Sequence, residues 1–307
     1  MLGEKLKLYR EKYNMTQKEI AEFLGVEPGT ISKYELGMIE PNIESIKKLA
    51  EIFNVTIDEL LKDEEKFDFS KINILETLRE QREMKLKGNL YHNTQISFAY
   101  NTNHIEGSKL TEDQTRYIYE TNTILFEEDT VVSVDDILET ANHFKLVDYM
   151  LDIANSKLTE DIIKTFHKIL KEGTSDSKKE WFNVGEYKQK ANEVGNIKTT
   201  LPKNVQRDMV KLLEWYNLLE NVKLEDIIEF HYRFECIHPF QDGNGRVGRI
   251  IMFKECLKNN IIPFIILDKD KLFYYRGLKE YKSEKGYLID TCLNAQDQYK
   301  KMIEYYL

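Results

Sequence analysis

EDIIEFHYRFECIHPFQDGNGRVGRIIMFKECLKNN, residues 225–260, holds the reading on which the fold turns. Leu224, Ile227, Ile228 and His231 recur at helical offsets before its centre, and Val247, Ile250, Ile251 and Leu257 do so after it. Two buried helices therefore bracket a tight loop, HPFQDGNGRVGR at 238–249. Pro239 pushes His238 out of the α region, so the first helix is expected to end there with the imidazole projecting from its C-terminal end. The glycines permit the turn, and Gly243 and Gly245 let backbone N–H groups approach a ligand without a Cβ in the way. The start of the second helix offers unpaired N–H groups and the positive end of a dipole, an anion site. Arg246 and Arg249, three apart, share one helical face and carry planar donor forks suited to phosphate oxygens. Asp242 stands where an oxygen ligand for Mg²⁺ bridging such phosphates would be useful. This combination points to phosphate chemistry on a nucleotide.

Outward from that loop, helical periodicity runs through almost the whole chain, so the expected fold class is all-α. Helices are expected near 73–88, 92–103, 111–121, 134–155, 159–171, 203–219, 224–237, 245–259, 270–283 and 285–304. One stretch differs: in KANEVGNIKTTLPKNV, residues 190–205, Val194, Ile197 and Thr199 surround Gly195-Asn196 and Pro202 stops any helix, which reads as a short β-hairpin. Near the N-terminus, NIESIKKLAEIFNVTIDELL (42–61) places Ile43, Ile46, Leu49, Ala50 and Phe53 at amphipathic helical spacing. The charged run KDEEKFDFSK that follows has no apolar stripe and marks a boundary. The expected organisation is a domain over 1–62, a linker over 63–71 and a larger domain over 72–307.

Composition narrows the function classes. A chain of 307 residues with 41% hydrophobic content is long enough for two well-buried cores. Its net charge of −9 argues against general coating of nucleic acid or an acidic membrane surface. Cys236, Cys256 and Cys292 are odd in number and lack CxxC spacing, so neither a disulfide framework nor a zinc site is expected. The charged start MLGEKLKLYREKYN and the lack of an apolar run long enough to span a bilayer lead to an expected cytoplasmic location without membrane attachment.

HPFQDGNGRVGR matches every fixed position of the Fic motif, His-x-Phe-x-Asp/Glu-Gly-Asn-Gly-Arg-x-x-Arg, and the chain resembles that family over roughly residues 72–307. The resemblance implies a helical core with a β-hairpin flap and transfer of AMP from ATP, with Mg²⁺, to a protein hydroxyl. It makes His238 the general base for a Ser, Thr or Tyr side chain, a task suited to a group titrating near neutrality. It gives Asp242 the metal, Asn244 with the backbone of Gly243 and Gly245 the α-phosphate, and Arg246 and Arg249 the outer phosphates.

Upstream, TNHIEG at 102–107 resembles the family's Ser/Thr-x-x-x-Glu-Gly/Asn inhibitory motif, with Thr102, Glu106 and Gly107 at the matching positions of a helix around 92–107. That resemblance implies that Glu106 pairs with Arg249 and keeps it from the γ-phosphate, so that ATP settles unproductively. The hairpin, with Val194, Gly195, Asn196 and Ile197, falls where family flaps hold an extended piece of the target. LFYYRGL at 272–278 resembles the family's Tyr-Tyr-x-x-Leu stretch near the adenine, which makes Tyr274 and Tyr275 nucleobase candidates. An Asn often found just before that stretch is replaced by DKDKL, so nucleobase preference stays open. His92, His143 and His167 have no chemical neighbours in the sequence and are read as core residues, as is His231 on its apolar face.

MTQKEIAEFLGVEPGTISKYELGMIEP, residues 15–41, resembles the helix-turn-helix of XRE/Cro repressors, covering about residues 1–62 in a five-helix domain. Thr16 should cap the second helix, Ala21 permits close packing, and Gly25 turns the chain into a recognition helix near 28–36. The resemblance places Glu27, Thr30, Ser32 and Lys33 toward the major groove and Gln17 at phosphate. The segment is slightly acidic, so nonspecific attraction to DNA is weak and a homo-oligomer on a two-fold site is the expected binder.

Two functional readings follow. The first is an autoinhibited protein adenylyltransferase tied to a DNA-binding module, with self-modification and reverse removal of AMP open to it. The second is a transcription regulator whose core senses nucleotide without turnover. His238 beside Asp242 favours the first, because a sensor needs no base next to a metal carboxylate. Phosphate transfer of the Doc type is disfavoured, since that branch usually has Lys where Gly245 stands.

Overall fold

The computed structural model describes residues 2–61, 67–125, 131–194 and 197–307, and the chain divides into two compact units, Met1–Phe69 and Ser70–Leu307. The first unit holds five helices: α1 (Leu2–Lys12), α2 (Gln17–Leu24), α3 (Pro28–Glu35), α4 (Ile43–Ile52) and α5 (Ile57–Leu61). A reciprocal capping box starts α2: the Thr16 hydroxyl accepts from the Glu19 N–H while the Glu19 carboxylate accepts from the Thr16 N–H at 2.6 Å. Gly25, in the left-handed region at φ +72°, ends α2, and Pro28 opens α3. Leu6, Ile20, Ala21, Leu24, Ile31, Leu49, Phe53 and Leu60 form its buried core.

The apolar pattern at 42–61 makes two helices rather than one. α4 ends at Ile52, and Asn54 takes a left-handed φ of +49° before α5 begins. Ile43 lies outside the core and is exposed, because as the first residue after the Asn42 cap it precedes the turn that packs inward.

The second unit contains α6 (Ile74–Met84), α7 (Leu90–Ile105), α8 (Glu112–Thr121), α9 (Val134–Asp152), α10 (Glu160–Lys171), α11 (Pro202–Asn217), α12 (Leu224–Ile237), α13 (Asn244–Lys258), α14 (Lys271–Glu280) and α15 (Gly286–Tyr306). Glu193–Val194 (β1) pairs antiparallel with Ile197–Lys198 (β2), the hairpin that the turn chemistry predicts. The fold is thus mainly helical with one short hairpin among the described residues. α13 is the axis of this unit. It packs against α6, α7, α9, α10 and α12, and residues 246–257 are all buried. A helix enclosed on every side must be apolar or must satisfy its polar groups internally. Arg246, Arg249, Lys254 and Glu255 take the second course. No described helix is long and apolar enough to cross a membrane.

Candidate active site

α12 ends at Ile237, and His238 caps it in the left-handed region at φ +51°, its N–H bonded to the Phe234 carbonyl at 2.8 Å. Pro239 explains the break, since it excludes the α region for the residue before it. The loop then closes on itself. The Asn244 side chain accepts from the Phe240 N–H at 2.8 Å and donates to the Phe240 carbonyl at 2.9 Å. One donor and one acceptor of that amide shape the loop, and its second N–H remains for a ligand. The N–H groups of Asn244, Gly245 and Arg246 open α13 without an intrahelical acceptor.

His167 of α10 braces the loop from below. Its ring stacks on Phe240 at 4.0 Å with an interplanar angle of 2°, and its Nδ1 accepts the Gly185 N–H at 2.9 Å. With Nδ1 an acceptor, the neutral ring carries its proton on Nε2, which donates to the Asp242 carbonyl at 3.2 Å. Burial, with Lys171 nearby, pushes the His167 pKa down to about 3, so this tautomer persists across the neutral range.

Asp242 lies in a network of fixed charges. Its Oδ2 accepts from Lys171 Nζ at 2.7 Å and from Arg246 Nη2 at 3.3 Å. Lys171 also bonds Glu139 and reaches Asp176 at 3.0 Å, while Arg246 bonds Glu139 and, at 3.3 Å, Asn103. Burial raises the Asp242 carboxyl, but Arg246 and Lys171 outweigh it and hold the group well below the ordinary carboxylate range. An ionised carboxylate at an anion cradle fits Mg²⁺, which binds through one or two carboxylates plus substrate phosphates. No described cluster of three or more His, Cys, Asp or Glu side chains could hold a metal alone. A metal on Asp242 would therefore depend on the phosphates.

One turn further along α13, Arg249 meets the end of α7. Its Nε donates to the Thr102 hydroxyl at 2.7 Å, and its Nη2 donates to the Thr102 carbonyl at 3.0 Å and to Glu106 Oε1 at 2.6 Å. Its Nη1 reaches the Tyr274 hydroxyl at 3.4 Å. Burial opposes the charge on Arg249, but Glu106 outweighs it and the guanidinium is held above its ordinary pKa. Glu106 caps α7, and Gly107 follows at φ +100°. Gly245 makes room for this pair: a Cβ there would collide with the Glu106 carboxylate and lie 3.0 Å from Arg249 Nη1.

The structure thus gathers His238, Asp242, Gly243, Asn244, Gly245, Arg246 and Arg249 on one loop and helix start, with Thr102 and Glu106 upon Arg249. Tyr274 lies on α14, packed inward. It is 1% exposed, its hydroxyl bonds His231 Nε2 at 2.7 Å, and its ring offers no open face to a nucleobase. Tyr275 is 42% exposed and its hydroxyl donates to the Ile105 carbonyl at 2.9 Å. Val194 and Ile197 are backbone partners in the hairpin register, whereas Gly195 and Asn196 lie outside the described residues. In the first unit, Glu27 is the exposed N-cap of α3, Lys33 is exposed, and Thr30 and Ser32 are half-buried. The Gln17 amide donates to Glu35 Oε2 at 2.8 Å, beside the Arg10–Glu35 ion pair.

Sequence reading missed several members of the site. The sequence offers His167 no chemical neighbour and makes it a core residue, yet it holds the loop. His92 also has a partner, Glu120 at 3.1 Å. Glu139 and Lys171 went unremarked. The available signal was a titratable residue on the inward face of an apolar helix, as with His167 and Lys171 four apart on α10. Lys188 was missed as well. It is buried, and its Nζ ties Asn192 and Thr199 beside the hairpin to the Ile237 carbonyl, with burial lowering its pKa to about 8.

Comparison with known proteins places this geometry among relatives. Residues 157–256 match the Fic/DOC family model and residues 6–60 a helix-turn-helix model. The protein adenylyltransferase Fic of Nematostella vectensis is 27% identical over 190 residues, 59% of this chain and 42% of that protein. The chain therefore spans about two fifths of that relative's length. The HTH-type transcriptional activator BcrR of Enterococcus faecalis is 49% identical over 63 residues, 20% of this chain and 31% of that protein. Among solved structures, a Fic domain containing signaling protein from Bacteroides thetaiotaomicron superposes with a TM-score of 0.56 at 24% identity, covering 76% of this chain and 91% of that one. That likeness establishes the fold of the second unit.

Proposed function

The chain carries a Fic/DOC-family domain over residues 157–256 and a helix-turn-helix domain over residues 6–60, and from these we propose that it is an autoinhibited protein adenylyltransferase joined to a DNA-binding module. The observation that carries this reading is the anion cradle at the start of α13, flanked by His238 and closed by the Glu106–Arg249 pair at 2.6 Å.

In this reading ATP places its α-phosphate at the N–H groups of residues 243–246 and its outer phosphates toward Arg246 and Arg249. His238 takes the proton of a Ser, Thr or Tyr hydroxyl of the target as that oxygen attacks the α-phosphorus. A phosphorus–oxygen bond forms, the bond to pyrophosphate breaks, and the imidazolium later releases its proton to water. Mg²⁺ at Asp242 supplies neutralisation of phosphate charge. The fixed N–H groups and guanidinium forks provide positioning and charge stabilisation. Glu106 opposes this by occupying Arg249, and the same carboxylate has the chemistry to orient a water for the reverse removal of AMP. The β1–β2 hairpin is assigned to the target segment, Tyr275 to the nucleobase side, and Glu27, Thr30, Ser32 and Lys33 to DNA bound by a homo-oligomer.

Separate incubations with α-labelled and γ-labelled ATP in the presence of Mg²⁺ test the reading. It expects protein-bound label from the α position alone. Label from the γ position, or none from either with the Glu106→Gly variant, would overturn it.

A further inference from the structure

α12 sets His231, Glu235 and His238 at spacings of four and three, along one stripe of the helix. Glu235 is half-buried, with its Oε2 3.5 Å from His238 Nδ1, at the outer limit of a hydrogen bond. Nδ1 of His238, Oε1 of Glu235 and Nδ1 of His231 are all buried without a hydrogen-bond partner. Three orphaned polar atoms on one stripe are costly unless they serve one another. The facing helix closes the space around them: a Cβ at Gly248 would lie 2.7 Å from the His231 ring and 2.9 Å from Glu235 Oε1. The other nitrogen of His231 is already committed to the Tyr274 hydroxyl at 2.7 Å.

We propose that Glu235 is the positioning residue of His238: it accepts the Nδ1 proton, fixes the tautomer, and leaves Nε2 as the lone pair that takes the proton of the target hydroxyl. This inference rests on the reading of His238 as the base. Burial would raise the Glu235 carboxyl, but His238, His231 and Arg249 outweigh it and keep it ionised. The charged and titratable groups around the pair are His231 on the same helix, Arg249 from α13, Tyr274 from α14, and Lys188, whose Nζ lies 3.2 Å from the Ile237 carbonyl. Glu235 is the carboxylate next to the imidazole, and it favours the imidazolium formed as the proton arrives.

Two measurements test this. In the unmodified full-length protein labelled with ¹⁵N-histidine, the resonance lost in His238→Ala identifies His238, and its two nitrogen shifts report the neutral tautomer. The expected form carries the proton on Nδ1, and Glu235→Gln shifts the population toward Nε2–H. A native His238 already protonated on Nε2 overturns the proposal, with no Glu235 variant needed. The kinetics of transfer, measured on both the native and the Glu106→Gly background, give a second reading. Glu235→Gln is expected to lower kcat at least about tenfold and leave KM for ATP within about twofold. Unchanged kcat in Glu235→Gln, while His238→Ala is inactive, overturns the positioning role alone. Transfer that survives His238→Ala instead overturns the base reading, and the tautomer still decides whether the pair exists.

Discussion

The two units bury different things. The helix-turn-helix unit closes over Leu6, Ile20, Leu24, Ile31, Leu49, Phe53 and Leu60, and Ser45 is the only polar residue fully buried among its described residues. The second unit encloses His143, His167, Lys171, His231, Arg246, Arg249, Lys254 and Glu255 around one central helix. Apolar burial carries most of the small helical unit, whose Arg10–Glu35 pair is the exception, whereas the second unit buries many charges that must each be paired or bonded. Charge kept in a core at that cost is where binding and chemistry belong. The contrast recurs within the second unit. Arg246 is held by Glu139, mid-helix on α9 with 11% of its side chain exposed, while Arg249 is held by Glu106, a helix cap with 30% exposed. The first acid is walled in. The second is open to solvent on one side.

The largest expected effect lies on the wet side of this comparison. His238→Ala should lower AMP transfer about a hundred- to ten-thousand-fold, with helical content and melting temperature nearly unchanged. Transfer within threefold of the native rate would remove His238 from the chemistry.

Next come the two acids. Glu139→Ala leaves Lys171 and Arg246 underpaired in the core and should cost about 3–5 kcal/mol in denaturant unfolding of the second unit. Glu106→Gly should cost less, about 1–3 kcal/mol, since the buried Arg249 keeps its bonds to the Thr102 hydroxyl and carbonyl and to the Tyr274 hydroxyl. Equal losses in the two variants would erase the distinction between a fixed and a releasable clamp.

Acid should also tell the units apart. Burial lowers the pKa of His143 and His167 to about 3 and of His231 to about 4, well below the ordinary value near 6.5. The unfolded chain therefore binds more protons than the folded one as pH falls below about 6.5, so stability falls with it. The loss approaches about 1.4 kcal/mol per pH unit for each imidazole, until the folded value is reached. All six histidines lie in the second unit. Thermal unfolding of that unit should therefore move to lower temperature between pH 6.5 and 4.5 before the first unit is affected. Melting of the second unit that is flat across that window would contradict the neutral, buried state of these rings.

The smallest effect belongs to the dry unit. Thr16→Ala removes the hydroxyl of the capping box and should cost about 1 kcal/mol there, leaving transfer untouched. A change in transfer rate from this variant would mean that the caps of the first unit reach the chemistry of the second.

What was legible in the sequence follows the same division. Apolar spacing places every α-helix described in the second unit to within a few residues, α13 included, although that helix is buried all round rather than on one face. The loop from His238 to Arg249 was readable because glycine, proline and charge were concentrated in twelve consecutive positions. Glu139, Lys171 and His167 were not, since each comes from a helix distant in sequence and looks locally like an ordinary polar residue. Tyr274 illustrates the reverse: packing sets where an aromatic side chain points, and here its hydroxyl is turned inward to His231 and Arg249, which the stretch LFYYRGL does not reveal. Ile43 shows the limit of spacing itself, since a first-turn residue can keep the period and still face solvent.

The central claim is that Glu106 restrains a competent phosphate site by holding Arg249. The direct measurement is transfer of α-label from ATP by the native chain, Glu106→Gly, Arg249→Ala and the double variant, with release of AMP from already labelled protein followed in parallel. The account expects Glu106→Gly to raise labelling at least about tenfold, and Arg249→Ala to cancel that gain when combined with it, a non-additive pattern proper to a specific pair. Unchanged AMP release would place the gain in the forward reaction. Labelling and release both unaltered by Glu106→Gly would contradict the account and reduce TNHIEG to the end of a helix.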